Sequence, residues 1–223
     1  AFLYRGIIFQ EKSQKSDILK QTSVALAHID SAILFFDKAL KSIDDREVRK
    51  NKEYYQAYNR RDLRTGEFGV KLSDIQFDVE KRIVALKERS DKVKMTKHYF
   101  ALADTLYKGS NALFNRVREK YTNERQLYLR ADENAVKELK TLSDRFDSCT
   151  TAFESYKTSS ANLGKTGYNH VLSLLEITNM EKDGASPADF YQDDLKLWDY
   201  KKFADKTVSV IEKEIVPMRE HLI

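Results

Sequence analysis

Helix-breaking residues are scarce in this chain. Two prolines and seven glycines are spread over 223 residues, so there are few places where a helix must stop, and long elements are expected. The single cysteine, Cys149, rules out an intramolecular disulfide and with it the disulfide-stapled secreted class. It leaves cytoplasm and bacterial periplasm equally open. Cys149 falls on the apolar seam of an expected helix, where a thiol reads as a small buried hydrophobe rather than a reactive group. No apolar run of about 18 residues occurs, so no segment reads as a membrane span. An initiating Met is also missing: the chain starts Ala1-Phe2-Leu3-Tyr4. That start suggests a fragment or a processed protein that a signal peptide or anchor could have preceded.

Motifs that carry chemistry are missing as well. None of His28, His98, His170 and His221 stands at HExxH spacing or beside a cysteine pair, so no zinc motif is present. Carboxylate-bridged metal bundles need Glu-x-x-His on inward faces, and Arg219-Glu220-His221 does not supply it. There is no GxxxxGK[ST], GxGxxG or GxSxG. Leu163-Gly164-Lys165-Thr166 lacks the first glycine and the preceding strand of a phosphate loop. These absences predict no catalytic residue, metal or cofactor.

Charge of one sign is not abundant either. The formal net charge of +4 comes from 39 basic and 35 acidic residues, largely interleaved, whereas a nucleic-acid binder concentrates its excess in a stripe. Nucleic acid is therefore disfavoured as a partner.

Present instead is helical periodicity. Apolar residues make up 41% of the chain and charged residues 33%, a mixture that suits helices with one buried and one solvated face. A 4-3 spacing links Ile18, Thr22, Ala25, Ile29, Ala32, Phe36, Ala39 and Ile43, flanked by Leu26, Ile33 and Leu40. It predicts one unbroken helix from about residue 10 to residue 44. After Asp44-Asp45 a shorter helix is expected, broken by Thr65-Gly66-Glu67-Phe68-Gly69. A second long helix runs from about Leu72 on Ile75, Val79, Ile83, Leu86, Val93, Phe100 and Leu102, with Lys108-Gly109 as a point of bending or ending. Leu113, Phe114 and Val117 open a third segment. Within it Leu139, Leu142, Phe146, Cys149, Phe153 and Tyr156 repeat the seam logic of the first helix.

The run 159–167 reads as a helix end with Gly164 or Gly167 as cap. A short buried helix from Tyr168 to about Met180 follows, then a loop over 181–187 whose Ser186-Pro187 opens the last helix. That helix uses Leu197, Ala204, Val208, Ile211, Ile215 and Met218, and Pro217 should bend or end it. No strand alternation and no internal repeat is evident. The expectation is an all-α fold: a single domain over 1–223, an elongated antiparallel bundle of about five to seven long helices with coiled-coil-like seams.

Two clusters remain as candidate sites. The stretch Arg46, Arg49, Lys50, Lys52, Arg60, Arg61 and Arg64, interleaved with Tyr54, Tyr55 and Tyr58, opposes only Glu47, Glu53 and Asp62. It is either a surface for acidic lipid headgroups, an acidic partner or nucleic acid, or a solvated helix end with tyrosines covering the bundle tip. A second basic run, Lys81, Arg82, Lys87, Arg89, Lys92, Lys94 and Lys97, is diluted by Glu80, Glu88 and Asp91 and reads as a solvated face.

Aromatics Tyr168, Phe190, Tyr191, Trp198, Tyr200 and Phe203 gather around the longest loop. With His170, Asn169, Asp193 and Asp194 they could line a small-molecule pocket, or the aromatics could grip a partner helix, although such residues more often seal a bundle cap. Helix length without chemistry points first to a non-enzymatic interaction or scaffold module that binds a protein partner or itself. Two alternatives are a membrane-surface module of the crescent-dimer type and an extracytoplasmic ligand-binding bundle of a receptor or lipoprotein.

Overall fold

A computed structural model describes residues 2–61, 64, 66–161, 163 and 200–221. The expected cap at Gly164 or Gly167, the helix after Tyr168, the 181–187 loop and Leu197 lie outside the described residues. The described chain is overwhelmingly helical: α1 (Phe2–Lys15), α2 (Thr22–Ser42), α3 (Asp45–Lys50), α4 (Leu72–Lys120), α5 (Glu124–Arg130), α6 (Glu133–Ser160), α7 (Tyr200–Val210) and α8 (Val216–His221). Six of these have seven residues or more, within the expected range. The chain divides into two compact units, Ala1–Lys94 and Met95–Ile223, with the boundary inside α4.

In the N-terminal unit the expected first helix is two helices. The chain breaks after Lys15 because Asp17 turns on itself, its Oδ1 accepting from the backbone N–H of Leu19 and of Lys20 at 3.0 Å each. This Asx turn offers the backbone an alternative to helical bonding. Ile18 and Leu19 stay buried inside the turn, which is why the apolar spacing runs through the break unchanged.

α2 then buries Ala25, Ile29, Ala32, Phe36 and Ala39. α1 packs against it, running antiparallel: Phe9 meets Phe35 at 5.5 Å and Ser16 meets His28 at 3.4 Å. Gly6 makes the close approach possible, because a Cβ there would lie 2.6 Å from the buried ring of Phe36. The first half of α4 lies alongside α1. Arg82 donates from Nη1 to Gln10 Oε1 at 3.0 Å and Arg89 from Nη2 to the Ser13 carbonyl at 3.3 Å. These two arginines thus turn inward, so the second basic run is not the uniform solvated face its spacing suggested.

In the C-terminal unit the second half of α4 runs antiparallel to α6. Cys149 Sγ reaches the Ala103 carbonyl at 3.4 Å, and Phe100 faces Tyr156 at 5.7 Å. The helix does not end at Gly109. It continues to Lys120, and the core register passes through Ala103, Tyr107 and Ser110, leaving Leu102 on the outer side. The α6 seam is buried as its spacing requires, at Leu139, Leu142, Phe146, Cys149, Phe153 and Tyr156. Asp132 caps this helix by accepting from the Ala135 N–H at 2.8 Å, satisfying one of the donors its first turn leaves unpaired.

α7 packs on α6 and places Tyr200 between Phe114 and Phe146, with ring centroids 5.1 and 5.4 Å away. Pro217 does not end the last helix, which continues to His221. Lacking an N–H, it cannot continue the i to i−4 pattern, and the backbone widens beforehand into a π-turn over Ile211–Ile215, the usual accommodation when a helical ladder must shift register.

Candidate binding surface

The basic stretch forms the expected short helix only over Asp45–Lys50. Asp44 caps α3, its Oδ1 accepting from the Glu47 N–H at 2.7 Å. Only six residues later the helix gives way to a 3-10 segment, Lys52–Tyr58, followed by β1 (Asn59–Arg61) and β2 (Phe68–Val70). The two strands pair antiparallel with Asn59 opposite Val70, Arg60 opposite Gly69 and Arg61 opposite Phe68. Three-residue strands with this composition carry no legible alternation, so pairing and not pattern defines them. In the turn between them Gly66 holds a φ of 75°, a left-handed conformation natural to glycine. Arg61 braces it by donating from Nε to the Gly66 carbonyl at 3.2 Å.

The tyrosines fix this segment to the body of the unit. A 3-10 geometry eclipses positions i and i+3, so Tyr55 and Tyr58 point the same way. Tyr55 is buried, and Tyr58 donates its hydroxyl to Asp78 Oδ2 at 2.7 Å. The same oxygen accepts from Arg82 Nε at 2.8 Å. Burial would raise the Asp78 carboxyl, but the hydrogen bonds from Arg82 and Tyr58 outweigh it and hold the group below its ordinary value. Burial first, and then the bond to Asp78, push the Tyr58 hydroxyl up to about 12. Tyr4 adds a further tie by donating to the Tyr54 carbonyl at 2.9 Å, with its ring edge-on to that of Tyr54 at 5.9 Å.

Outward from these anchors stand the charges. Arg46, Arg49, Lys50, Lys52, Arg60, Arg61 and Arg64 are all exposed. Arg46, Arg49 and Lys50 share with Asp45 a shallow depression of about 530 Å³. Tyr54 remains 60% exposed. The structure therefore assigns the three tyrosines different places: Tyr55 inside, Tyr58 half-buried, Tyr54 on the surface.

Phe68 was read from sequence only as part of a breaker, yet its ring is 71% exposed, the most of any large apolar side chain among the described residues. Its flanking by Gly66 and Gly69 was the available signal, since that spacing suits a turn and short strand rather than a core position.

The second candidate cluster is mostly beyond reach. Tyr168, His170, Phe190, Tyr191 and Trp198, together with Asn169, Asp193 and Asp194, lie outside the described residues. Its remaining members, Tyr200 and Phe203, join a buried aromatic cluster. Phe203 is 5.1 Å from Phe114, and the Tyr200 hydroxyl donates to Asn111 Oδ1 at 2.9 Å.

In a cleft of about 660 Å³ between the start of α6 and Ile211 to Arg219, Lys140, Glu212 and Arg219 are committed to structure. Lys140 pairs with Glu212 at 2.7 Å, and Arg219 donates to the carbonyls of Tyr128, Leu129 and Ala131. Burial pushes the Cys149 thiol up to about 12, which suits a packing role rather than a nucleophile. Among the described residues no group of three His, Cys, Asp or Glu is placed to hold a metal ion, and no helix is long and apolar enough to cross a membrane. Comparison with protein-family models, curated proteins and solved structures found no match to this chain.

Proposed function

We propose that this chain is a non-enzymatic interaction module, and that its binding face is the basic, tyrosine-anchored segment of the N-terminal unit. One observation carries the reading. Residues 46–64 contain seven basic and three acidic side chains, a local excess of 7 − 3 = +4, equal to the formal charge of the whole chain, so the other residues sum to zero.

Asp44 and Asp45 precede this segment and Glu67 follows it. Asp44 is spent as the α3 cap, and both aspartates sit where the helix dipole favours anions, while Arg49 and Lys50 occupy its last turn. Preorganisation supports the same reading. Tyr55, Tyr58 and Tyr4 hold the segment down while the charged groups remain outside, so little conformational freedom is lost on binding an acidic partner.

The test is fluorescence anisotropy with two labelled polyanions, polyglutamate and heparin, over a salt series. The triple variant Arg46→Glu/Arg49→Glu/Lys50→Glu should bind both at least about tenfold more weakly than the unaltered chain. Lys137→Glu/Lys206→Glu/Lys213→Glu makes the same charge change on exposed positions of the C-terminal unit and should lose much less. Equal losses from the two triples would mean that diffuse charge, not this face, does the binding.

A further inference from the structure

We infer that the hairpin β1–β2 is a membrane tip, which seats Phe68 at the headgroup boundary of an anionic bilayer while Arg60 and Arg61 meet lipid phosphates. The inference rests on the interaction-module reading and names its partner.

Three features of the hairpin carry it. The first is the ring itself: Phe68 is 71% exposed although a two-stranded hairpin could have turned it inward. Strand register places it opposite Arg61, and directly paired residues project to one face. The most exposed apolar ring thus shares a face with a guanidinium, the pairing that a bilayer boundary accommodates, with apolar atoms below and phosphates above.

The second feature is openness. All three β1 residues are exposed, and a Cβ built on Gly69, opposite Arg60, would meet nothing within 4 Å. These strand residues stand open to solvent, and a flat, laterally fluid surface suits them better than a peptide or a nucleic-acid strand that must be gripped along its length.

The third is continuity. The 3-10 segment packs against β2, so Tyr54, 60% exposed, belongs to the same part of the surface. Tyrosine is the side chain that favours the water-lipid interface. Fixed by Tyr58 and Tyr4, the hairpin presents ring and charges without prior folding, and charge complementarity selects anionic over neutral lipid.

The test uses the full chain with vesicles of phosphatidylcholine alone or with about 30% phosphatidylserine. Co-sedimentation should be seen with the anionic vesicles only and should be largely lost by about 0.5 M salt. Phe68→Ala should weaken it about tenfold, as expected for one ring withdrawn from an apolar boundary, while leaving the helical circular-dichroism signal and the binding of heparin unchanged.

A depth readout makes the result specific. An environment-sensitive fluorophore on Phe68→Cys, in a Cys149→Ala background, should shift to the blue on anionic vesicles, and the same label on Ser148→Cys should not. Pelleting with vesicles while the label at position 68 reports water would overturn the inference. So would retention of heparin binding with no vesicle binding, which leaves the interaction module standing, or tighter binding to a short single-stranded RNA than to vesicles. Loss of binding to heparin and to vesicles alike in the unaltered chain would remove both readings.

Discussion

Phe2, Tyr4, Tyr54, Phe68 and Phe77 are exposed in the N-terminal unit, whereas Tyr107, Phe114, Phe146, Phe153, Tyr156 and Tyr200 are buried in the C-terminal unit. The N-terminal core instead relies on small and aliphatic side chains, with Ala25, Ala32 and Ala39 on α2 facing the other helices. Small residues leave room for few rings, so among the described aromatics of that unit only Phe36 and Tyr55 are buried. Around Tyr200, by contrast, rings fill the interior. The contrast explains why one unit has a surface suited to contact and the other a sealed aromatic core.

Truncating one tyrosine in each unit tests this most severely. Tyr200→Ala removes a fully buried ring and its bond to Asn111 and should destabilise the protein by about 3–5 kcal/mol, read as a fall in the denaturant midpoint. Tyr54→Ala removes an exposed ring of the same size and should change stability by about 0.5 kcal/mol or less. A large loss at Tyr54 would show that the N-terminal aromatics are structural after all.

The seams of α2 and α6 were legible because an apolar side chain every three or four residues has only one reading once helices must share a core. The break after Lys15 was hidden because Ile18 and Leu19 remain buried in the turn, so the pattern recorded burial correctly and backbone path wrongly. Ser16-Asp17 was the local clue. The basic stretch could be found in the sequence because charge needs no geometry to be counted. Its conformation was not legible, since Tyr58 and Asp78 make their bond across 20 positions and Arg61 meets Phe68 only through strand pairing. Phe68 was missed for that reason: side-chain exposure in a hairpin is decided by register, which no window of sequence contains.

Two glycines sharpen the contrast with the same substitution. In α1 a Cβ at Gly6 would meet the Phe36 ring at 2.6 Å, and that ring is buried and has nowhere to go. Overpacking of about 1–3 kcal/mol should exceed the helix-propensity gain of about 1 kcal/mol, so Gly6→Ala should destabilise. In α4 a Cβ at Gly109 would meet Arg145, nearest at its Nη1, 2.7 Å away. Arg145 is an exposed residue whose long side chain can swing into solvent, so Gly109→Ala should stabilise by about 0.5–1 kcal/mol. Thermal midpoints moving in the same direction would refute this difference in local packing.

The last test concerns the bond that holds the basic segment to its unit. Asp78 has a lowered pKa, so its contribution is present above the ordinary carboxylate value of 3.8 and is lost as pH falls through the lowered one. Tyr58 is raised from 10.0 to about 12. Its contribution is complete below pH 10.0 and declines as pH rises towards about 12, because the unfolded chain gives up that proton first. Tyr58→Phe should therefore cost about 1 kcal/mol on the plateau between those limits. The gap between variant and unaltered chain should close at both ends, in acid as Asp78 protonates and in alkali as Tyr58 ionises. Burial also raises the Tyr200 hydroxyl, so both proteins lose stability in alkali and only the difference between their urea midpoints isolates Tyr58. A difference that stayed constant from pH 7 to pH 12 would mean that the hydroxyl is not spent on Asp78. The basic face would then be held by ring packing alone.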